Sequence, residues 1–510
     1  MSTTFKIIYT SDTHGRISAY DFTKKSYGLF GLSRLSSYLK SVKEPYLLLD
    51  NGDFLQGSPL IDYARKNGLK NPVARIFNAL NYQYVTVGNH DFNFGLDYLK
   101  SFQNAFNGQI LCSNIYTQNE NYFTPFAIHE INGVKIGIIG LTTEYIPFWE
   151  RKENIHDLEF RDVVSEVNEI IKTYDLTVKT DLILLLYHGG YEKNVTIQES
   201  YSNVTIENKG AALFDIPNVD IVLTGHQHVA QIHQKGHHIT MQTSFNAHDF
   251  GVIDIVMGKN NQGYEIEQLT PEIIKLDQFP VDESVEYILK DLVKDASTYL
   301  DQTIGSTQTD MTIKSPLEAR IIKHPLFQLV NEIQLAYTSA DISCSSLPNQ
   351  TNGFLPTITL NDIATNFPFE NDLLVIEVTG DMLISALEQN STYFKVLDQH
   401  ITVNPKFLHP KVEHYNYDVY DGITYEMHIN NPVGNRIKNV YIKNQPLDLT
   451  KTYRLALNSY RATGAGGFDM FKKAEVIMSY PVSYFDLISQ YVIENQNFKI
   501  DTIQNFKIVY

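Results

Sequence analysis

Short apolar runs that each end in polar residues recur through the first half of the chain. Five of them have the length expected of buried strands, about 4–8 residues, and are bounded by glycine or polar side chains. They are Phe5–Ser11, Tyr46–Asp50, Tyr84–Val87, Leu182–Tyr187 and Val219–Thr224. Asp, Asn or His follows each run within a few residues. We therefore predict five strands whose carboxyl ends carry the chemistry of this protein.

Helical periodicity separates these predicted strands. After the first strand, apolar residues recur at helical spacing at Leu29, Leu32, Leu35, Leu39 and Val42. Pro72–Leu80 and Arg161–Tyr174 are also predicted to be helices, the first with proline near its start. Two further strands are predicted at Lys135–Leu141 and Ile239–Thr243. This alternation predicts an α/β fold over residues 1–280, a layered sandwich in which helices cover largely buried sheets.

The rest of the chain has a different pattern. At 510 residues the chain is too long for one ordinary core, and the amphipathic stretch 283–300 predicts a linker helix, which we place at 281–302. Beyond it, residues 303–510 predict a mixed α/β C-terminal domain that binds the substrate. Its predicted strands are Leu373–Thr379, Ile423–Ile429, Val440–Ile442 and Tyr453–Asn458. Its predicted helices are Leu326–Tyr337, Met382–Glu388 and Ser483–Glu494.

The residues after the five strands form a set of metal ligands. Side chains just past the ends of parallel strands meet in the crevice where α/β sheets bind ligands. Two neighbouring divalent cations need a shared carboxylate, and Asp53 is predicted to bridge them. The other predicted ligands are Asp12, His14 and His228 for one cation, and Asn89, His188 and His226 for the other. His90, next to Asn89, is the predicted proton donor.

Such a centre favours an anionic substrate. Two divalent ions against two carboxylates leave about two positive charges, which suits a phosphate ester and lowers the pKa of a bridging water toward neutrality. The predicted nucleophile is then a metal-bridging hydroxide. Ligands of mixed type suit Mn, Zn, Fe or Co, so the sequence does not fix the identity of the metals. The pairs His237-His238 and His248-Asp249 complete no ligand set and are interpreted as structural.

Composition limits the class of partner. A formal net charge of −17 argues against binding to nucleic-acid polymers, which needs clustered Lys and Arg. Only Cys112 and Cys344 are present, so a disulfide framework is excluded. No apolar run reaches the roughly 18 residues of a spanning helix, so no membrane partner is expected. With a strand predicted from residue 5, a cytoplasmic location is expected unless a leader was removed, and the oligomeric state stays open.

Several motifs together resemble known families. Five motifs of this chain resemble those of the calcineurin-like metallophosphoesterases. They are Asp12-Thr13-His14, Gly52-Asp53, Gly88-Asn89-His90-Asp91, His188-Gly189-Gly190 and Gly225-His226-Gln227-His228. With Leu457–Gly464 in the second half, the whole chain resembles the two-domain 5'-nucleotidase family. Within that family, the segments Asn51–Leu60, Gly88–Leu99 and Tyr417–Gly422 are most similar to the bacterial 2',3'-cyclic-nucleotide 2'-phosphodiesterase/3'-nucleotidase branch.

The resemblance implies a metal-dependent hydrolase of 2',3'-cyclic nucleotides or 3'-nucleotides, with a small nucleotide as its partner. The alternatives are a 5'-nucleotidase or nucleotide-sugar hydrolase and, outside the enzymes, a non-catalytic nucleotide-binding sensor. Asn93 stands where 5'-nucleotidases usually have an aspartate paired with the motif histidine, and Leu347–Gln350 replaces their arginine-bearing segment. Asn93 is therefore predicted to orient His90 without making it more basic.

The resemblance also implies that two aromatic rings of the C-terminal domain sandwich the base. Tyr417 and Tyr460 are predicted for this role, while Phe369 is predicted to be a core residue. Stacking of this kind tolerates every base, because every base has a π-face. The glycine-rich stretch 464–467 would let the backbone approach the ligand closely. A rotation about the linker is expected to carry the bound nucleotide to the metals.

Overall fold

The computed structural model describes residues 2–200, 206–261, 263–369, 371–409 and 411–510. The chain divides into two compact units, Met1–Ala296 and Ser297–Tyr510. The division falls inside the helix Glu283–Leu300, in the segment predicted to connect the two domains. The exact bounds of a linker at 281–302 remain a prediction.

Unit 1 is built on two six-stranded sheets. The first has the order Gly263–Lys275, Asp249–Asn260, Ser2–Thr10, Tyr46–Asp50, Tyr84–Val85, Gln109–Ile110. The second has the order Gln231–Lys235, His238–Gln242, Ile221–Thr224, Leu182–His188, Val134–Thr142, Phe126–Ile131. Smaller strands are Glu159–Phe160, Ile115–Thr117 and Glu120–Asn121 in one sheet, and Tyr20–Asp21 with Ser26–Tyr27 in a hairpin.

The two large sheets share one apolar core. Ile7 and Leu47 from the first sheet lie in the same buried cluster as Ile136 and Leu184 from the second. The alternation of strand side chains places their neighbours on the opposite faces, where helices cover them. One such covering helix, Val163–Thr173, packs on the second sheet in a separate buried cluster. Unit 1 is thus the layered α/β sandwich that the sequence predicts.

The helices of unit 1 follow the predicted pattern, but the first is shorter at both ends. They are Leu32–Leu39, Pro59–Lys66, Pro72–Leu80, Gly95–Ala105, Ile146–Trp149, Val163–Thr173, Leu176–Lys179, Gly210–Phe214 and the start of Glu283–Leu300, with 3₁₀ turns at Asn89–Phe92 and Leu276–Gln278. Leu29 and Val42 both lie outside the first helix, and Leu29 is 62% exposed. The helix begins only after Gly31, whose φ of 104° is not helical. A Cβ at Gly31 would lie 2.6 Å from the carbonyl oxygen of Ser18, so this turn requires glycine.

Unit 2 is the mixed α/β domain expected from the sequence. Its five-stranded sheet has the order Val419–Asp421, Ile342–Ser345, Thr452–Asn458, Asp372–Thr379, Glu475–Ser483, and its four-stranded sheet the order Gln445–Pro446, Ile437–Ile442, Ile423–His428, Phe506–Val509. Smaller sheets are Thr357–Thr359, Thr303–Thr307, Asn497–Phe498, then Met311–Thr312 with Gly353–Phe354, and Phe394–Leu397 with His400–Val403. The helices are Pro316–Ile321, Pro325–Thr338, Leu360–Asn366, Gly380–Ser391, Ser459–Ala462 and Tyr484–Asn495, with 3₁₀ turns at Pro405–Phe407, His414–Asn416 and Asp469–Lys473.

One large apolar cluster forms the core of unit 2. It joins the helix Pro325–Thr338 to the central strands Ile342–Ser345, Asp372–Thr379 and Thr452–Asn458. The strands and helices predicted for this half all appear, with ends shifted by a few residues. Across the described ranges of both units, no helix combines the length and apolar character needed to cross a membrane.

Candidate metal centre

The predicted strand ends meet at one edge of each large sheet in unit 1. In the first sheet, Ser2–Thr10, Tyr46–Asp50 and Tyr84–Val85 run parallel. In the second sheet, Leu182–His188 and Ile221–Thr224 run parallel. Parallel strands have their carboxyl ends on the same side, so the loops that follow them lie close together.

Asp12, His14 and His228 form one group of ligand atoms. One such atom from each residue lies within 4.8 Å of the others. Nε2 of His228 is 3.1 Å from Nε2 of His14 and 3.3 Å from Oδ1 of Asp12. Asp12 and His14 are buried, whereas His228 is partly exposed. The structure therefore brings together the residues predicted to hold the first cation.

Asp53, His188 and His226 form a second group with the same spacing. Nε2 of His188 lies 3.3 Å from Oδ2 of Asp53, while Oδ1 of Asp53 accepts a hydrogen bond from the backbone N–H of His90 at 2.7 Å. The side-chain oxygen of Asn89 is 2.9 Å from Nδ1 of His226. The predicted ligands of the second cation thus also converge, and Asn89 is among them.

Hydrogen bonds on the outer side of two imidazoles decide which nitrogen faces the centre. Nδ1 of His14 donates to the carbonyl of Gln56 at 3.1 Å. Nδ1 of His188 donates to the carbonyl of Asn51 at 2.7 Å. A carbonyl oxygen only accepts, so each ring holds a proton on Nδ1 and turns Nε2 toward the candidate ligands.

His226 is oriented in the opposite sense by residues that the sequence analysis did not identify. Its Nε2 lies 2.9 Å from Oε1 of Glu207, so Nδ1 is the nitrogen that faces Asn89. The ring of Trp149 stacks on His226 with 5.3 Å between ring centroids and 29° between planes. Glu207 lies in a turn and Trp149 ends the short helix Ile146–Trp149, so neither belongs to a periodic pattern. A carboxylate behind a ligand histidine is recognisable only once the fold is known.

The charge state of these groups suits metal binding. Burial alone would raise the pKa of both carboxylates, but a hydrogen bond from His228 holds the pKa of Asp12 below its usual range, and the neighbouring His188 does the same for Asp53. Burial and the adjacent His228 lower the pKa of His14 to about 3. Near neutral pH the carboxylates are therefore anionic and His14 is neutral, which are the forms that bind metals.

His188 provides a direct test of whether a cation fits. Its Nε2 is buried, and among the described residues it makes no well-aligned hydrogen bond. Burial alone would lower the pKa of His188, but the Asp53 carboxylate overrides this effect and raises it to about 10. The position between Asp53 and His188 thus attracts positive charge strongly. A divalent cation supplies more of that charge than a proton, so the donor set fits a divalent metal site.

The backbone at the ligands is strained. Five ligand residues have left-handed backbone conformations, with φ of 52° at Asp12, 46° at His14, 61° at Asp53, 70° at His226 and 62° at His228. A non-glycine residue in this region costs on the order of 1–3 kcal/mol and persists only where the surroundings enforce it. Such strain concentrates at functional sites, so it is an independent sign that this edge of unit 1 has a function.

Asp91 holds two of the ligand loops together. It is fully buried, and its Oδ2 accepts the backbone N–H groups of Asp53 and Gly88, both at 2.8 Å. Its Oδ1 accepts those of Phe54 and Leu55, both at 2.9 Å. The loop that carries Asp53 is therefore fixed to the loop that carries Asn89 and His90.

The predicted catalytic pair His90 and Asn93 is in contact. Nδ1 of His90 lies 2.7 Å from Oδ1 of Asn93, and the ring of His90 lies edge-on to that of His14 with 5.3 Å between centroids. His90 is therefore beside the ligand groups and partly exposed. Behind Asn93 lies Glu150, a residue absent from the predicted site.

Unit 2 contradicts one of the two predicted base-stacking residues. Tyr417 is 0% exposed, and its ring packs 5.0 Å from the rings of both Tyr393 and Phe394 within the apolar core. A nucleobase could not reach either face of this ring without opening the core. The prediction for Tyr417 is therefore wrong. Tyr415, two residues earlier, is partly exposed and lies 6.1 Å from the ring of Tyr460.

Phe369 also differs from its prediction, because it is 40% exposed rather than a core residue. It lies just before the strand Asp372–Thr379, and Tyr460 lies just after the adjacent strand Thr452–Asn458, whose Asn458 is paired with Leu373. The N–H of Asp372 donates to Oγ of Ser459 at 3.1 Å. Phe369 and the partly exposed Tyr460, which lies in the short helix Ser459–Ala462, are therefore at the same end of two paired strands.

The remaining sequence candidates have structural surroundings. Nδ1 of His238 donates to the carbonyl of Val219 at 2.7 Å, and His248 packs edge-on to Phe30. In the glycine-rich stretch 464–467, a Cβ at Gly466 would lie 2.1 Å from Oδ1 of Asn416, so that glycine is required by packing alone.

Comparison with known families and proteins agrees with this geometry. The family described as calcineurin-like phosphoesterase matches residues 5–230, and the family described as 5'-nucleotidase, C-terminal domain, matches residues 303–473. A solved structure from Staphylococcus aureus, named as a candidate 5'-nucleotidase in complex with alpha-ketoglutarate, is 30% identical, with a TM-score of 0.92 and coverage of 100% of both chains. A 5'-nucleotidase precursor from Thermus thermophilus, 19% identical with a TM-score of 0.69 and coverage of 99% of both chains, shares the fold.

Curated relatives extend the comparison to named activities. The trifunctional nucleotide phosphoesterase protein YfkN of Bacillus subtilis is 26% identical over 98% of this chain, which spans only 38% of the length of YfkN. A 2',3'-cyclic-nucleotide 2'-phosphodiesterase/3'-nucleotidase of Haemophilus influenzae is also 26% identical, over 90% of this chain and 80% of that protein.

Proposed function

Since the chain belongs to the calcineurin-like phosphoesterases and carries a 5'-nucleotidase C-terminal domain, we propose that it hydrolyses 2',3'-cyclic nucleotides and 3'-nucleotides. Its relatives are hydrolases of phosphoric ester bonds, and so is this chain. The observation that carries the proposal is the convergence of Asp12, His14 and His228 with Asp53, His188 and His226 at one edge of unit 1. The substrate class follows from the names of its relatives.

Asp53 is the proposed shared ligand, because its side chain lies in the second group while its backbone contacts His14 of the first group. The backbone N–H of His14 donates to the carbonyl oxygen of Asp53 at 2.8 Å. We propose that two divalent cations occupy the two groups, with Asn89 completing the second. Such cations supply Lewis acidity to the phosphoryl oxygens and lower the pKa of a coordinated water.

The chain's own residues then orient the substrate and move a proton. His90 lies beside His14 at the edge of the ligand groups, with 5.3 Å between the ring centroids. Its proposed role is to donate a proton to the ribose oxygen that leaves the phosphorus. The same imidazole stabilises the negative charge that develops in the transition state.

In unit 2, Tyr460 remains the proposed stacking residue for the base, and Phe369 replaces Tyr417 as its partner. Phe369 and Tyr460 lie at the same end of two paired strands and are accessible, which supports the exchange.

A second candidate, 5'-nucleotidase activity, is favoured by the Staphylococcus aureus structure at 30% identity. One experiment separates the two. Rates on 2',3'-cyclic AMP, 3'-AMP and 5'-AMP are measured with added Mn²⁺ for the wild type, for Asp53→Asn and for Asp97→Asn, which changes an exposed aspartate outside the ligand groups. We expect high activity on the first two substrates, lost in Asp53→Asn and kept in Asp97→Asn. A preference for 5'-AMP would select the second candidate, and no hydrolysis would refute both.

A further inference from the structure

A chain of hydrogen bonds runs from His90 to a side chain outside the predicted site. Nδ1 of His90 lies 2.7 Å from Oδ1 of Asn93, and Nδ2 of Asn93 donates to Oε2 of Glu150 at 2.7 Å. Glu150 follows directly on the short helix Ile146–Trp149. Two separate loops of unit 1 are therefore joined through the amide of Asn93.

Glu150 is itself held in place. Its Oε1 accepts hydrogen bonds from the backbone N–H of Arg151 and from Nδ2 of Asn154, both at 2.8 Å. Nδ2 of Asn154 also donates to the backbone carbonyl of Asn93 at 3.0 Å. Both oxygens of Glu150 thus accept from N–H donors, and two independent contacts tie its loop to Asn93.

The carboxylate decides which way the amide of Asn93 points. An amide has an accepting oxygen at one end and a donating nitrogen at the other, whereas a carboxylate only accepts. The nitrogen of Asn93 must therefore face Glu150, which leaves Oδ1 facing His90. Because Oδ1 only accepts, His90 holds a proton on Nδ1, and Nε2 is the nitrogen that donates to the leaving oxygen when the ring is doubly protonated.

We propose that Glu150 is a positioning residue for phosphoester hydrolysis, because it orients Asn93 and Asn93 in turn orients His90. The inference rests on the proposed function, in which His90 donates a proton to the leaving oxygen. It also explains the asparagine at position 93. An aspartate there would bring two carboxylates within hydrogen-bond distance with no donor between them, so Asn93 and Glu150 act as a matched pair in place of a direct carboxylate partner.

The first test removes the carboxylate. In Glu150→Ala the amide of Asn93 can flip and turn Nδ2 toward His90. We expect kcat on 3'-AMP to fall about tenfold or more with little change in KM, because general acid catalysis contributes at least that much. The rate on 4-nitrophenyl phosphate should fall much less, since its leaving group needs no proton. The control is Glu153→Ala, which removes an exposed carboxylate from the same loop and should match the wild type.

The second test exchanges the chemistry of the pair. Asn93→Asp alone should lower kcat on 3'-AMP, because the introduced carboxylate and Glu150 repel each other. Adding Glu150→Gln should restore activity above that of Asn93→Asp, since the new glutamine amide can donate to the carboxylate at position 93 while that carboxylate accepts from His90. The rescue should appear in kcat on 3'-AMP and much less in the rate on 4-nitrophenyl phosphate, a difference that a merely structural contact would not produce.

Several results would overturn the proposal. An equal loss on 3'-AMP and 4-nitrophenyl phosphate in Glu150→Ala, or a loss of bound Mn²⁺ in that variant, would show that Glu150 only supports the fold. A double variant no more active than Asn93→Asp would break the matched pair. Failure of the proposed function is distinguishable, because the wild type with Mn²⁺ would then hydrolyse neither substrate, and both proposals would fall together.

Discussion

The contacts of Asp91 predict a large effect from a change of one atom. Asp91→Asn keeps the shape of the side chain but replaces one carboxylate oxygen with an NH₂ group. Each oxygen of Asp91 accepts two backbone N–H groups, from Asp53 and Gly88 on one side and from Phe54 and Leu55 on the other. Whichever way the amide turns, two buried N–H donors therefore lose their acceptor and face another donor.

The size of the effect follows from the hydrogen bonds that are lost. A hydrogen bond to a charged acceptor is worth about 1.5–3 kcal/mol, so two of them predict a loss of about 3–6 kcal/mol in the free energy of unfolding of unit 1. Asp91 is 0% exposed, so water does not compensate. Because the N–H of Asp53 is one of the four donors, weaker Mn²⁺ binding should accompany the loss of stability.

Guanidinium unfolding measures this effect. Trp149 is the only tryptophan of the chain and lies in unit 1, so tryptophan fluorescence reports on that unit. The matched control is Asp97→Asn, which changes an exposed aspartate in the next helix and should stay within about 1 kcal/mol of the wild type. If Asp91→Asn also unfolds within that margin, the reasoning about its four donors is refuted.

Three further predictions concern pH, the base and the metals. Burial and the nearby Arg320 lower the pKa of His414 from 6.5 to about 4. As the pH falls through that range, the unfolded chain binds this proton first, so unit 2 loses stability. In His414→Gln the free energy of unfolding should fall less between pH 6.5 and 4, and an unchanged slope would contradict this. Tyr460→Ala should raise KM for 3'-AMP about 5-fold or more through lost stacking, while Tyr417→Phe should leave KM unchanged. A raised KM in Tyr417→Phe with an unchanged KM in Tyr460→Ala would contradict this. Chelation should abolish activity and shift the emission of Trp149, which stacks on His226, with Mn²⁺ restoring both; loss of metal without a change in emission would contradict that placement.

The strand ends of unit 1 could be predicted from the sequence. Parallel strands are buried on both faces, so they appear as continuous apolar runs, and their carboxyl ends lie on the same side of the sheet. That reasoning placed Asp12, Asp53, Asn89 and His188 near each other without coordinates. The ends of helices were less predictable. Leu29 fits the apolar period of the first helix. The helix nevertheless begins only at Leu32, because the backbone of Gly31 is not helical.

Contacts between loops could not be predicted in this way. Glu150 meets Asn93 only because a short helix after the strand Val134–Thr142 lies against the loop of His90, and no spacing in the sequence encodes that approach. Tyr417 was misassigned because burial of an aromatic ring depends on packing by Tyr393 and Phe394, which lie far away in sequence. Phe369 carried a weak signal of exposure, since it lies between Pro368 and a polar stretch.

The central claim is that residues spread over unit 1 hold two cations through a shared Asp53, and anomalous diffraction from Mn²⁺-loaded crystals tests it most directly. The account predicts two anomalous peaks about 3.5–4 Å apart, one bounded by Asp12, His14 and His228 and the other by Asn89, His188 and His226, with at least one peak lost in Asp53→Asn. A single peak, peaks away from these residues, or two peaks that persist unchanged in Asp53→Asn would contradict it.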